Sequence, residues 1–394
     1  MRAWLGPLAV GVVLASRPAA ACGGGGVTTP TTASGVVADA QRIVLALHDA
    51  GSPEAKTDIV AQIGVPAAGA EYGVLIPVPS TPTIDPEPIS EADLDALDQA
   101  TAPTIIVYDY GSGESDESGT GCGCGSKGDD DSGGPSGASN TKDVTVSAPV
   151  NVGPVTAVVI ASDDASALTD WLDDNGFAIP DERQSLLEGY VADGYQFIAI
   201  TRSDTAPSEG PTSLGLHYTL DGDHRQLSLA FARLGAAPKV AFTVFVAAPN
   251  WVTPSTGFKT LTLDDLDASV LQHGGYSAAV SAAVEHAGSH AFLLENNKWP
   301  PVTAYFSEEF AALLGLGSPP YNLVTRLSTI VAADALDTDV RLDGPYQSAP
   351  SRRTINVTAN RLPLPRESSA GVLALVLLTR ALRRRAQRAR NVRA

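Results

Sequence analysis

The chain has 394 residues, 44% hydrophobic and 18% charged, which suits one large globular domain or two modest ones. Its formal charge of −18 is unevenly spread. Seven arginines follow Thr379 and two more (Arg2, Arg17) lie near the start, so the body between them holds 17 basic against 44 acidic residues, about −27. Such a body repels phosphate backbones and anionic lipid, so nucleic acid is not an expected partner.

The first stretch, MRAWLGPLAVGVVLASRPAAAC, has a basic start, an apolar run from Ala3 to Ala15 and three small residues, Ala19-Ala20-Ala21, before Cys22. That pattern predicts a secretory signal over residues 1–21, removed by signal peptidase. Lipidation of Cys22 is the alternative, although Ala19 stands where lipoprotein signals usually carry leucine.

Residues 22–110 read as β-rich. Arg42–Asp49 and Lys56–Pro66 flank a Gly-Ser-Pro turn and predict a hairpin. Glu71–Pro82 predicts a third strand whose terminal prolines confine its end to an edge or loop. Ser90, with Asp93 three positions on, starts a short helix, and Pro103–Tyr110 returns as a strand. From Gly111 to Lys142 the chain is Gly, Ser and Asp with almost no apolar residue. Nothing there offsets the entropy of ordering, which predicts a flexible loop or linker over 111–142.

Order resumes over 143–345 as an α+β portion. Asp143–Ser162 predicts two strands. A helix follows with Leu168, Trp171 and Leu172 on one face and Gly176 as its stop. A second carries Leu186, Leu187, Tyr190 and Val191 inward and ends at Gly194. Tyr195–Thr201, Gly215–Leu220, Arg225–Gly235 and Lys239–Pro249 supply strand material; Ser277–Gly288 reads as helix and His290–Glu295 as strand. There is no fixed-period repeat. The fold class is therefore α+β, mostly antiparallel and β-rich, with a few short helices.

Several of these segments occur together in a familiar order: Cys22-Gly-Gly, RIVLALHD, YGVLIPVPSTP, LDALDQATAP, GCGCG, DWLDDNGF, ADGYQFIAI and LVTRLSTIV. The chain thereby resembles the bacterial exported proteins of domain-of-unknown-function family 2330 over most of residues 22–345. Relatives often carry Trp where Gly73 stands here. The resemblance implies an exported protein and a fold unit, and it brings no activity with it.

After a linker over 346–369, residues 370–394 combine an apolar run from Ala370 to Leu378 with Arg380, Arg383, Arg384 and Arg385. The run is shorter than the roughly 20 residues of a spanning helix, and Arg380 would have to snorkel. With Pro365 in LPRESS just upstream, the tail resembles the tripartite sorting signals of Gram-negative bacteria, read by a sorting protease. Arg366 between Pro365 and Glu367 departs from that motif. An uncleaved transmembrane anchor and a surface helix are the alternatives. As a sorting signal or an anchor, the tail keeps its arginines cytoplasmic and the acidic body outside.

In an oxidising compartment Cys22, Cys122 and Cys124 are disulfide candidates, with Cys22 bridged to the 122–124 loop as the leading arrangement. A C-x-C bridge, a redox pair and a thiolate metal site remain alternatives. Weak metal candidates are His286 and His290, four apart but interrupted by Gly288, and the acidic run Asp129, Asp130 and Asp131. His48, His217, His224 and His273 have no sequence partners. No nucleophile elbow, P-loop or dinucleotide fingerprint occurs. Neither a cofactor nor a catalytic residue is expected. The reading is an exported, membrane-anchored cell-envelope protein, in the periplasm, at the outer membrane or at the cell surface, with a non-catalytic binding or scaffolding role toward an unknown envelope ligand or protein. A secreted hydrolase or thiol-redox enzyme with a site formed only in three dimensions is the alternative, and so is a metal-binding envelope protein.

Overall fold

The computed structural model describes residues 25–26, 41–65, 72–108, 144–177, 179–203, 212–234, 238–255, 257–296, 306–317, 321–343 and 354–358. The chain begins with β1 (Gly25–Gly26), the hairpin strands β2 (Gln41–His48) and β3 (Lys56–Val65), then β4 (Gly73–Val78) and β5 (Thr83–Ile84). Helix α1 (Glu91–Thr101) and β6 (Thr104–Tyr108) follow. Next come β7 (Thr145–Val146), β8 (Val150–Val152), β9 (Val155–Ala161), α2 (Ala165–Asp174), α3 (Gln184–Ala192) and β10 (Gln196–Arg202). The remainder opens with β11 (Thr212–Asp221), β12 (Gln226–Leu227), β13 (Lys239–Ala248), β14 (Thr253–Ser255) and β15 (Lys259–Leu261). It closes with α4 (Ala268–His286), β16 (Ala291–Asn296), α5 (Glu308–Leu313), β17 (Leu323–Ala332), β18 (Val340–Asp343) and β19 (Thr354–Thr358).

The chain divides into two units, Met1–Ile105 with Cys122–Ile355, and Ile106–Gly121 with Asn356–Ala394. Most of the two-stranded β19–β6 sheet belongs to the second. The first contains an eight-stranded sheet, ordered β15-β16-β17-β13-β2-β3-β11-β5, and a six-stranded sheet, ordered β1-β4-β10-β9-β7 with β8 also on β9. A small third sheet has the order β12-β18-β14. Within these three sheets only β13–β2 and β15–β16 run parallel; the other pairings are antiparallel. This is the expected β-rich α+β class. Strands from both sides of residues 111–142 share the large sheet, with β2–β3 seated between β13 and β11.

Both faces of the large sheet are covered, which is why β2, β13 and β17 are buried on successive residues instead of alternately. On its outer face Val44, Val60, Phe245 and Val324 pack with Leu94 and Leu97 of α1 and with Phe310 and Leu314 at α5. On its inner face Ile43, Ile59 and Ala61 share a small cavity with Ile76, Pro77 and Val78 of β4, so the two sheets stack. Leu168, Leu172, Leu187, Tyr190 and Val191 of α2 and α3 cover the far side of the second sheet against Phe197 and Leu75.

Local chemistry sets the element ends. Ser90 caps α1 by accepting from the Asp93 amide, as expected from its sequence. Asp93 then accepts from the Ser307 amide at 2.8 Å and the Ser307 hydroxyl at 3.0 Å, so one carboxylate joins the starts of α1 and α5. A Cβ on Gly73 would lie 2.8 Å from the Phe177 ring, so Phe177 fills the space that a larger residue there would take.

Three expectations change. Residues 145–161 form three strands, not two, because Gly153 at φ 54° and Pro154 turn β8 back onto β9. The stretch after Leu227 is not strand: Leu229–Leu234 makes tight helical turns that bury Leu229, Ala230, Phe231, Ala232 and Leu234, a burial pattern that strand alternation cannot give. The helix expected from Ser277 begins at Ala268 and is kinked at Gly275, whose φ 79° and ψ −179° are essentially glycine-only.

Candidate functional site

The outer face of the eight-stranded sheet carries a cleft of about 540 Å³ beside its apolar patch. The register builds its floor. Thr243 on β13 stands opposite Arg42 on β2 and Ser328 on β17, while Phe245, two residues on, stands opposite Arg326. Gln62 continues the row on β3, its side-chain carbonyl accepting from Arg42 Nε at 2.9 Å and its amide donating to Ser213 at 2.9 Å. Glu91, Asp95 and Asp98, at positions i, i+4 and i+7 of α1, form one wall. Tyr276, Ser277 and Val280, just beyond the α4 kink, form the other.

A buried ion pair anchors the floor. The Glu295 side chain is 0% exposed and that of Arg326 is 8%. Glu295 accepts from Arg326 Nε, from the Tyr276 hydroxyl and from Ser328 Oγ at 2.7 Å. Arg326 Nη1 donates to Asp98 Oδ1 at 2.7 Å and to the Asp98 carbonyl at 2.9 Å, placing a cation at the C-terminal end of α1. The guanidinium also lies 5.3 Å from the centre of the Phe245 ring. Burial works against the Arg326 charge, but Glu295 and Asp98 outweigh it and hold the group above its ordinary value. Burial and the nearby Glu295 charge push the Tyr276 hydroxyl far upward, so it donates and does not ionise.

The rim differs in character. Arg42 Nη1 meets Asp95 Oδ1 at 2.5 Å, and the Asp95 side chain is 54% exposed. Burial, then Asp95, raises the Glu91 carboxyl, with Arg42 opposing them. The Glu91 side chain makes no hydrogen bond with a described residue, and Nη2 of both Arg42 and Arg326 is unpaired among the described residues.

A second polar cluster sits on the same sheet face, beyond the apolar patch. His217 places Nε2 3.2 Å from Asp58 and Nδ1 3.2 Å from Asp85, which satisfies both nitrogens only when both carry protons. His48 Nε2 lies 2.9 Å from the other Asp58 oxygen, at ion-pair distance without hydrogen-bond alignment. Thr219 donates to Asp58 at 2.5 Å. Asp58 raises His48 against a smaller cost of burial. For His217 burial is the largest influence and lowers it, but Asp58 and Asp85 together carry it above its usual value. Burial opposes ionisation of Asp58, yet His217, His48 and Thr219 hold it well below the carboxylate range. Sequence reasoning missed this cluster. His48 and Asp58 are diagonal across the β2–β3 hairpin, a relation that its register could have exposed; His217 and Asp85 come from distant segments.

The singled-out residues fare unevenly. His286 ends α4, and the turn at Gly288 (φ 97°) and Ser289 (φ 65°) separates it from His290. His290 Nε2 faces Asp337 at 2.8 Å, and its ring lies 5.2 Å from that of Phe258. Among the described residues no three His, Cys, Asp or Glu side chains are grouped to hold a metal ion. Cys22, Cys122, Cys124, Asp129, Asp130, Asp131, Pro365, Ala370, Leu378, Arg380, Arg383, Arg384 and Arg385 lie outside the described residues. Among the described residues no helix is long and apolar enough to cross a membrane.

Comparison with known proteins now bears on these clusters. The model of domain-of-unknown-function family 2330, uncharacterized proteins conserved in bacteria, matches residues 18–266. The chain belongs to this family. The family 2330 span contains the whole His48–Asp58–Asp85–His217 cluster and the Arg42, Gln62 and α1 side of the cleft. Tyr276, Glu295, Arg326 and Ser328, which complete the cleft, lie beyond the matched span. No curated protein and no solved structure matches the chain.

Proposed function

We propose that this family 2330 protein is an exported envelope protein that holds a small polar ligand in the cleft between α1 and α4 without transforming it. The carrying observation is Arg326: almost wholly buried, its Nε and Nη1 are fixed by Glu295 and Asp98, while Nη2, unpaired among the described residues, belongs to a group lining the cleft. A donor held in this way loses little freedom on binding. The cleft volume also falls in the range of roughly 300–1,000 Å³ usual for small-ligand sites. Binding without chemistry is supported by the occupied state of the polar groups. Glu295 has three donors, Tyr276 is held protonated, and Glu91 is a single carboxyl at the rim without a partnered base or nucleophile.

Export rests on the sequence: the signal-like residues 1–21, the acidic body and the arginine-rich tail. In this reading the mature chain starts at Cys22, a bridge ties Cys22 to Cys122 or Cys124, and residues 370–394 contact the membrane until a sorting protease acts. Two measurements test the proposal. Intact and non-reducing peptide mass spectrometry of protein from native membranes should find an N-terminal Cys22 joined to the 122–124 loop; a chain retaining Met1, in the cytosolic fraction, would refute export. Thermal unfolding against a collection of small polar metabolites should give a stabilising compound whose effect disappears in Ser277→Trp, which fills the cleft. If no compound stabilises the protein, the cleft is not a ligand site.

A further inference from the structure

The cleft's lining is specific enough to suggest what it holds, and this inference rests on the binding role proposed above. From the arrangement of donors, acceptors and apolar surface we infer that the ligand is a neutral carbohydrate.

Charge gives the first exclusion. Two arginines face four carboxylates in the lining, and each arginine is already engaged by at least one of them. An anionic ligand would add a further negative charge to a surplus of negative charge, and like-charge juxtaposition disfavours it. A cation also fits poorly on the floor, where the guanidinium groups of Arg42 and Arg326 project.

Hydrogen-bonding geometry gives the second argument. The floor offers donors, the unpaired Nη2 groups of Arg42 and Arg326, while the α1 wall offers acceptors, Glu91 and the Oδ2 atoms of Asp95 and Asp98. A ligand lying between them must accept on one side and donate on the other, repeatedly. A hydroxyl does both at one atom, and a sugar ring presents several in fixed directions. Val280 and Ile330 supply an apolar surface within the same cleft, suited to the C–H face of a pyranose.

Isothermal titration calorimetry of the full mature chain tests the inference with a panel of glucose, galactose, N-acetylglucosamine, maltose and cellobiose. Glucuronate, spermidine and diglycine serve as the anionic, cationic and amide arms. At least one neutral saccharide should bind, and Ser277→Trp should abolish the heat. Ser277→Trp could fail to fold, so the exposed pair Glu91→Gln with Asp95→Asn provides the second arm. Removing two carboxylates should shift preference from the neutral sugar toward glucuronate by roughly tenfold. Binding of glucuronate, spermidine or diglycine with no neutral sugar bound overturns the carbohydrate assignment and leaves the cleft as a ligand site. Heats absent across the whole panel, together with no stabiliser in the thermal screen, overturn both.

Discussion

Replacing Arg326 should damage the protein more than neutralising Glu295, and the asymmetry follows from the geometry of the pair. Arg326→Met leaves the Glu295 carboxylate at 0% exposure with only the Tyr276 and Ser328 hydroxyls, since Arg326 is its one cationic partner among the described residues. Breaking a buried pair in that sense costs about 3–5 kcal/mol. Glu295→Gln still accepts hydrogen bonds and leaves Arg326 beside Asp98, so its cost should be that of weakened hydrogen bonds, about 1–3 kcal/mol. The double variant Arg326→Met with Glu295→Leu removes both charges and should be less destabilised than Arg326→Met alone. Urea denaturation at neutral pH, with matched slopes, measures all three. If Glu295→Gln proves the costlier substitution, or the double variant is no more stable than Arg326→Met alone, the buried-pair reasoning fails.

Further predictions concern other parts of the first unit. In the histidine cluster His48 and His217 are raised, so their contribution is fully present below their unfolded value and lost as pH rises through the folded one. Asp58 is lowered, so its contribution is present above the unfolded carboxylate value and lost as pH falls through the folded one. The stability advantage of wild type over His217→Asn, from urea midpoints, should therefore decline on the alkaline side of neutrality; an advantage that grows there would contradict the cluster's charge state. Gly275→Ala meets open space but a glycine-only backbone, and should cost about 1–3 kcal/mol in thermal or urea unfolding. Asp93→Ala removes the shared acceptor at the starts of α1 and α5 and should cost about 1–2 kcal/mol, with faster amide exchange at Phe310.

Most elements could be read in the sequence because their cues are local. Ser90 and Asp164 cap the helices they precede, Gly176 and Gly194 end theirs at positive φ, and the β2–β3 turn was marked by Gly-Ser-Pro. Local cues failed where tertiary packing decides. Leu229–Leu234 looks strand-like until the packing of Phe231 against Phe197 and Tyr190 is known. The start of α4 was hidden by Gly274-Gly275, which reads as a stop but serves as a kink. The sites were the least legible part. Arg42 and Arg326 are 284 positions apart and become neighbours only because β2 and β17 flank β13. His217 likewise acquires Asp58 and Asp85 through strand pairing, which a single sequence does not display.

The central position of the β2–β3 hairpin bears on how the chain comes into being. β2 and β3 emerge early in synthesis, yet their neighbours in the sheet, β13 and β11, are made more than 140 residues later. During that interval a hairpin with an apolar centre, residues 43–47 on one strand and 59–61 on the other, has two open flanks, each able to pair with another nascent chain. Its correct partners also require closing long loops, which slows folding. A fragment ending before Thr212 would keep both flanks open and should aggregate, whereas the complete chain closes them with its own later strands. Maturation therefore favours a chain kept unfolded until its last strands are available.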